Sequence, residues 1–367
     1  MLRYWIATPE RIPLRAVRYL LQHFSDTQGD RACAFWIMYM SRTSSRSILK
    51  TSLSAIKARP YVAAGVIAGA LAASAILNRQ LAKKAQRDNP PTGRFLEVDG
   101  VRIHYVERGA GRPLVLFHGN GSMIQDFDSS GLIELAAENY RVIVFDRPGY
   151  GHSDRPRNVV WTPTAQAELF FEALQQLGVH SALVLGHSWG ASVAVSLALK
   201  HPQFVEALIL ASGYYFPTPR ADFLAMSAPA IPGFGDVLSY TVSPLVIRMV
   251  WPLLLKVIFG PKSVPTKFDG FPKEMAVRPS QIHASAAESA LMIPNALAAS
   301  GEYGNLKMPV TIIAGVDDRL INTDQQSGRL HEEVRHSKMH RVPGTGHMVH
   351  QTATSSVMSA INEAAAA

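Results

Sequence analysis

The sequence predicts an α/β protein with a mostly parallel central sheet, flanking helices and an inserted, mainly helical cap. Three observations carry that expectation. Short apolar runs at Leu114 to Phe117, Arg141 to Phe145, Ala182 to Leu185, Ala207 to Leu210 and Val310 to Ala314 have the length and character of strands buried on both faces. Helical stretches lie between most of them, and that alternation implies right-handed crossovers and parallel pairing. Between Ser212 and Asn305 the alternation stops, replaced by a segment rich in Pro, Met and aromatic residues that reads as a cap, at about residues 213–305, over the strand ends.

The elements follow in chain order. Residues 1–60 form a basic segment in which Arg11, Arg15 and Arg18 interleave with Leu14, Val17, Leu21 and Phe24 at near-helical spacing. A basic amphipathic helix at a membrane surface has this pattern, and so does a targeting peptide. Translation from Met38 or Met40 is a further reading of the same stretch. Residues 61–77 carry no charged side chain and are flanked by Lys57, Arg59, Arg79, Lys83 and Lys84. The leading reading is a one-pass membrane anchor, short for a hydrocarbon core of roughly 30 Å. An export signal and a soluble alanine-rich helix also fit. Residues 78–93 then read as a polar linker ending in Asn89-Pro90-Pro91, and residues 94–367 as the α/β domain.

Within that domain, Phe95 to Val98, Asp99-Gly100 and Val101 to Val106 give a hairpin across an Asp-Gly turn. A helix is predicted over Pro163 to Leu177, with Thr162 as N-cap, Pro163 in the first turn and Gly178 as the stop. Val242 to Ile258 is apolar, but Arg248, Pro252 and Lys256 interrupt it, so a buried cap helix kinked at Pro252 is expected rather than a second span.

Charge narrows the function. The net charge is +8 over 367 residues, but residues 1–93 carry 14 Lys/Arg against 4 Asp/Glu, which leaves −2 for the rest. A near-neutral body without a basic stripe argues against a nucleic-acid partner. Cys33 is the single cysteine, so the chain forms no internal disulfide and no cysteine metal cluster.

The chemistry concentrates at Gly186-His187-Ser188-Trp189-Gly190, which follows one strand-like run and precedes the helix-like Ala191 to Lys200. In that context the pattern reads as a nucleophile elbow, its two glycines letting the chain reverse sharply. The turn aims the Trp189 amide at the place where an oxyanion would form. A serine nucleophile needs a base and an acid to orient that base. His347, in the glycine-rich loop Gly344 to Met348, is the favoured base over His350, and the acid is Asp317 or Asp318 after the strand at Val310.

The order Ser188, Asp318, His347 resembles that of the α/β-hydrolases, and the resemblance covers residues 94–363. His118-Gly119-Asn120-Gly121 is similar to that family's oxyanion loop, and Asp146 to Ser153 to its turn after the fourth strand. The resemblance implies Asp318 as the acid and the Asn120 amide as second oxyanion donor beside Trp189. Asp146 itself reads as a brace for that loop rather than a catalytic group, and His118, His152 and His201 read as structural polar contacts. Serine at the elbow, where epoxide- and halide-processing members carry Asp, implies an acyl-serine route with no cofactor and no metal. The expected substrate is a lipophilic ester or thioester. Carbon-carbon bond hydrolysis, perhydrolysis or amide cleavage by the same residues, and a membrane-tethered binding protein without activity, are the alternatives.

Overall fold

A computed structural model describes residues 60–367; the readings around Arg11 to Phe24 and at Met38 and Met40 lie outside the described residues. Two compact units divide after Ile67. The first described element, α1 (Pro60–Asp88), is the one helix among the described residues long and apolar enough by itself to cross a membrane. It does not stop at Leu77. Arg79 to Arg87 contains only good helix formers, and no breaker arrives before Pro90, so the expected linker is helical as far as Asp88.

The second unit is built on an eight-stranded sheet. β1 (Arg94–Val98) and β2 (Val101–Arg108) form the predicted hairpin, with Asp99 and Gly100 both at positive φ as a tight Asp-Gly turn requires. Then come β3 (Arg112–Phe117), α2 (Ile124–Ser130), α3 (Leu132–Ala137), β4 (Tyr140–Phe145), α4 (Pro163–Gln176), β5 (Ala182–His187), α5 (Trp189–Lys200) and β6 (Val205–Ala211). The sheet order is β1-β2-β4-β3-β5-β6-β7-β8, where β7 is Val310–Gly315 and β8 is Lys338–Val342. Pairings from β4 to β8 are all parallel, while β1 and β2 are antiparallel to their neighbours.

Strand alternation sends successive side chains to opposite faces. Val115, Phe117, Ile143, Phe145 and Val184 enter one core with α4 and α5, and Leu114, Leu116, Val142, Val144 and Leu183 enter the other with α2 and α3. Both faces are therefore covered, which is why these strands read as unbroken apolar runs. The α4 caps are as predicted: the Thr162 hydroxyl accepts from the Ala165 amide, and Gly178 sits at φ +69°.

Between β6 and β7 lie α6 (Ala221–Ser227), α7 (Phe234–Tyr240), α8 (Ser243–Phe259), α9 (Lys273–Ala276) and α10 (Pro279–Ala299). The chain closes with α11 (Arg329–Glu333) before β8, then α12 (Val349–Thr352) and α13 (Thr354–Ala365). The expectation that α8 is buried is corrected. Trp251, Leu255 and Ile258 pack inward against Phe268 and Phe271, but Leu245, Met249 and Leu253 form an outward stripe, with Met249 65% exposed. An all-round apolar helix at the edge of an insertion has more apolar faces than neighbours to cover them.

Candidate active site

The elbow owes its shape to the residues around Ser188. Ser188 follows β5 at φ 54°, ψ −118°, a conformation unfavourable for a residue with a Cβ, and α5 starts at the next residue. The flanking glycines act differently from the expectation, since neither has positive φ. They permit close approach: a Cβ on Gly186 would lie 2.3 Å from the Gly190 carbonyl oxygen, and one on Gly190 would lie 2.1 Å from that of Phe117. Strand β5, helix α5 and strand β3 thus meet backbone to backbone, and the strain is left on the serine.

Asp318 and His347 come together from the loops after β7 and β8. The His347 Nδ1–H donates to Asp318 Oδ2 at 2.8 Å, while Asp318 Oδ1 accepts the Leu320 and Ile321 amides at 2.8 and 2.9 Å. With Nδ1 carrying the proton, Nε2 has its lone pair free. Asp317 faces the other way, its exposed carboxylate accepting from the Gly344 amide. The His347 loop is pressed inward, since a Cβ on Gly346 would meet the Gly260 carbonyl at 2.0 Å and one on Gly315 would meet that of Thr345 at 2.2 Å. The loop also touches the elbow: His187 Nε2–H donates to the His347 carbonyl at 3.1 Å.

Among the described residues, neither the Trp189 nor the Asn120 backbone N–H has a protein acceptor. Asn120 follows β3 on the loop beside the elbow, where a Cβ on Gly119 would stand 3.1 Å from both His187 Nδ1 and Ser188 Cβ. The Asn120 side chain is turned to the insertion, donating to the Ser285 carbonyl at 3.2 Å and to Ser289 Oγ at 3.1 Å.

The remaining histidines that the sequence singled out make structural contacts. Burial, reinforced by the Arg147 charge, pulls His118 down to about 3, so it stays neutral; its Nδ1–H donates to the Gly119 carbonyl and its Nε2 accepts the Arg147 amide. Burial likewise holds His187 well below the usual histidine range. His350 is spent on Asp126, donating Nε2–H to Oδ1 at 2.9 Å. Asp126, His187 and His350 offer metal-ligating atoms within 4.8 Å of one another, but their hydrogen bonds make them a brace behind the His347 loop. Asp146 accepts from His104, from the Ile124 amide and from the His152 amide, fixing the loop after β4. His152 donates to the Asn89 carbonyl and His201 pairs with Glu168. Sequence reasoning missed the partners of Asp126 and Arg147, which lie more than 100 residues away on α12 and α10.

Ser188 itself is buried, 8% exposed. Two cavities flank α10, one of about 370 Å³ beside Ser192, Tyr214 and Tyr215, the other of about 720 Å³ beside Arg155, Arg157 and Arg278, and Ser188 lines neither.

Comparison with known proteins places this geometry. A family model described as alpha/beta hydrolase fold matches residues 112–354. A 2-hydroxymuconate semialdehyde hydrolase of Pseudomonas sp. (strain CF600) is 32% identical over 137 residues, covering 36% of this chain and 48% of that protein. Haloalkane dehalogenase 2 of Mycobacterium bovis is 30% identical over 139 residues, covering 38% and 47%. The chain thus spans about half the length of the curated relatives it matches. Among solved structures, the enol-lactonase from Burkholderia xenovorans LB400 superposes with TM-score 0.61 at 16% identity over 75% of this chain and 100% of that one. A membrane phospholipase A superposes with TM-score 0.58 at 21% identity, covering 87% and 100%. From the sheet order, the strand-end placement of Ser188, Asp318 and His347, and the match over residues 112–354, the chain belongs to the alpha/beta hydrolase fold family.

Proposed function

We propose that the protein is a serine hydrolase that cleaves a lipophilic carboxylic ester or thioester through an acyl-serine intermediate. The observation that carries this reading is the conjunction at one sheet edge of a strained Ser188, a His347 oriented by Asp318, and two backbone amides without acceptors. His347 Nε2 takes the proton of Ser188 as its oxygen attacks the acyl carbon, and Asp318 steadies the imidazolium. The Trp189 and Asn120 amides receive the oxyanion, His347 returns its proton to the leaving group, and water then releases the acid by the reverse steps. Serine at the elbow forms an ester that water opens at the acyl carbon, so alkyl transfer from a halide or epoxide is not the chemistry proposed.

A second reading has its own support. Carbon-carbon bond hydrolysis needs the same residues, and the relative from Pseudomonas sp. (strain CF600) is a 2-hydroxymuconate semialdehyde hydrolase. For localisation, the length and composition of α1 support a single-pass anchor at the N-terminal side of the domain, and the insertion between β6 and β7 is the cap that excludes water from the nucleophile. Turnover of aryl esters of graded acyl length, alongside vinylogous diketones, separates the two chemistries. The ester reading expects activity that rises with acyl length and is absent in Ser188→Ala; turnover of diketones alone would replace it with the second.

A further inference from the structure

We infer that Glu288, on the inserted helix α10, is a positioning residue that sets the oxyanion-hole loop through Arg147 and Tyr150. The inference rests on the acyl-serine reading above. Glu288 is the only Asp, Glu, Lys or Arg in the 21 residues of α10, and it is fully buried. A carboxylate in such a place persists only where it is fully hydrogen-bonded, and this one is. Arg147 Nη1 donates to Oε1 and Nη2 donates to Oε2 at 3.0 Å, Gln166 Nε2 donates to Oε1 at 3.0 Å, and the Tyr150 hydroxyl lies 2.7 Å from Oε2.

What the bidentate grip orients is the useful part. Arg147 Nε donates to the His118 carbonyl at 2.8 Å and Nη2 to the Gly119 carbonyl at 2.9 Å. The Gly119 carbonyl and the Asn120 N–H belong to one planar peptide and point in opposite directions. Holding the carbonyl against a guanidinium therefore aims the N–H of Asn120 and polarises it as a donor. The same helix holds Asn120 from the other side, through the Ser285 carbonyl and Ser289 Oγ, and the Tyr150 hydroxyl stands 2.9 Å from Asn120 Oδ1. Helix α10 thus fixes both the peptide and the side chain of the oxyanion residue.

The test uses the full chain in detergent, with Glu288→Gln and Tyr150→Phe. Each is assayed for aryl-ester kcat and KM and for inhibition by an aryl boronic acid, whose tetrahedral serine adduct places an oxygen in the hole. Loss of one oxyanion donor lowers kcat by about 10²–10³. Glu288→Gln is expected to lower kcat by about 100-fold and Tyr150→Phe by about tenfold, with KM within twofold and boronate Ki raised in the same proportion. Tyr150→Phe keeps the ring against His118 and Arg147, so it decides the matter if Glu288→Gln does not fold. A kcat within twofold of wild type in Tyr150→Phe overturns the inference, as does a loss of kcat without any change in boronate Ki. A wild-type protein inert to both ester and boronate overturns the acyl-serine reading instead.

Discussion

Ser188 holds a φ of 54°, and a residue with a Cβ in so sparsely populated a region costs about 1–3 kcal/mol. The close backbone contacts at Gly186 and Gly190 keep it there. Ser188→Gly is accordingly expected to abolish turnover and raise stability by about 1 kcal/mol, read as a higher Tm; a lower Tm would show that the serine is not strained. Gly190→Ala should do the opposite, destabilising by about 3 kcal/mol or more, because a Cβ there would meet the Phe117 and His118 carbonyl oxygens at 2.1 and 2.6 Å. Asp318→Asn removes the acceptor of the His347 Nδ1 proton. Its kcat should fall by on the order of 10⁴ with the fold intact by circular dichroism. The buried neutral histidines set an acid limit. His118 titrates near 3 when folded against 6.5 when unfolded, and His187 is also depressed. Below pH about 6.5 the unfolded chain binds protons that the folded one does not, so stability is full above that pH and falls as pH drops toward 3. Each histidine contributes a slope of up to about 1.4 kcal/mol per pH unit. Thermal melts from pH 8 to pH 4 should show this decline, with a shallower slope in His187→Asn.

Within the second unit, the part of α1 after Ile67 is tied to the insertion through Asn78. Buried Asn78 donates to the Tyr240 and Thr241 carbonyls at 3.0 and 2.9 Å and accepts from Arg248 at 3.0 Å, while Arg248 also holds Glu274. Asn78→Ala leaves two carbonyls without this donor and an arginine short of one acceptor. A loss of about 2–3 kcal/mol, measured by denaturant midpoint, is expected; a loss under 0.5 kcal/mol would mean the helix is not docked there. The hairpin, the strands and the elbow were legible in the sequence because each is written in adjacent residues: Asp99-Gly100, the apolar runs, the serine between its glycines. The loops after the last two strands were legible as the places for an acid and a base, but residues alone left Asp317 and Asp318 open, and only the resemblance chose Asp318, the one that meets His347. Partners distant in sequence were not legible, as with Arg147 and Glu288, 141 residues apart, although a lone charge in α10 was a signal of a buried partner. Nor did the apolar character of α8 tell which of its faces would find neighbours, and among the described residues Leu245, Met249 and Leu253 stay exposed.

At the scale of the molecule, a two-faced α/β sheet brings Ser188, Asp318 and His347 to the carboxyl ends of its strands, and the insertion between β6 and β7 sets its buried Glu288 against Arg147; the proposed function makes these serine, acid and histidine its nucleophile, orienting group and base. The proposed chemistry and the role inferred for Glu288 both depend on Ser188 being the nucleophile. That is tested most directly by incubating the purified protein with a fluorophosphonate and reading intact and peptide mass. The account predicts one adduct per chain, on the peptide carrying Ser188, absent in Ser188→Ala and slowed by orders of magnitude in His347→Gln. No adduct on wild-type protein, or an adduct that persists in Ser188→Ala, would contradict it.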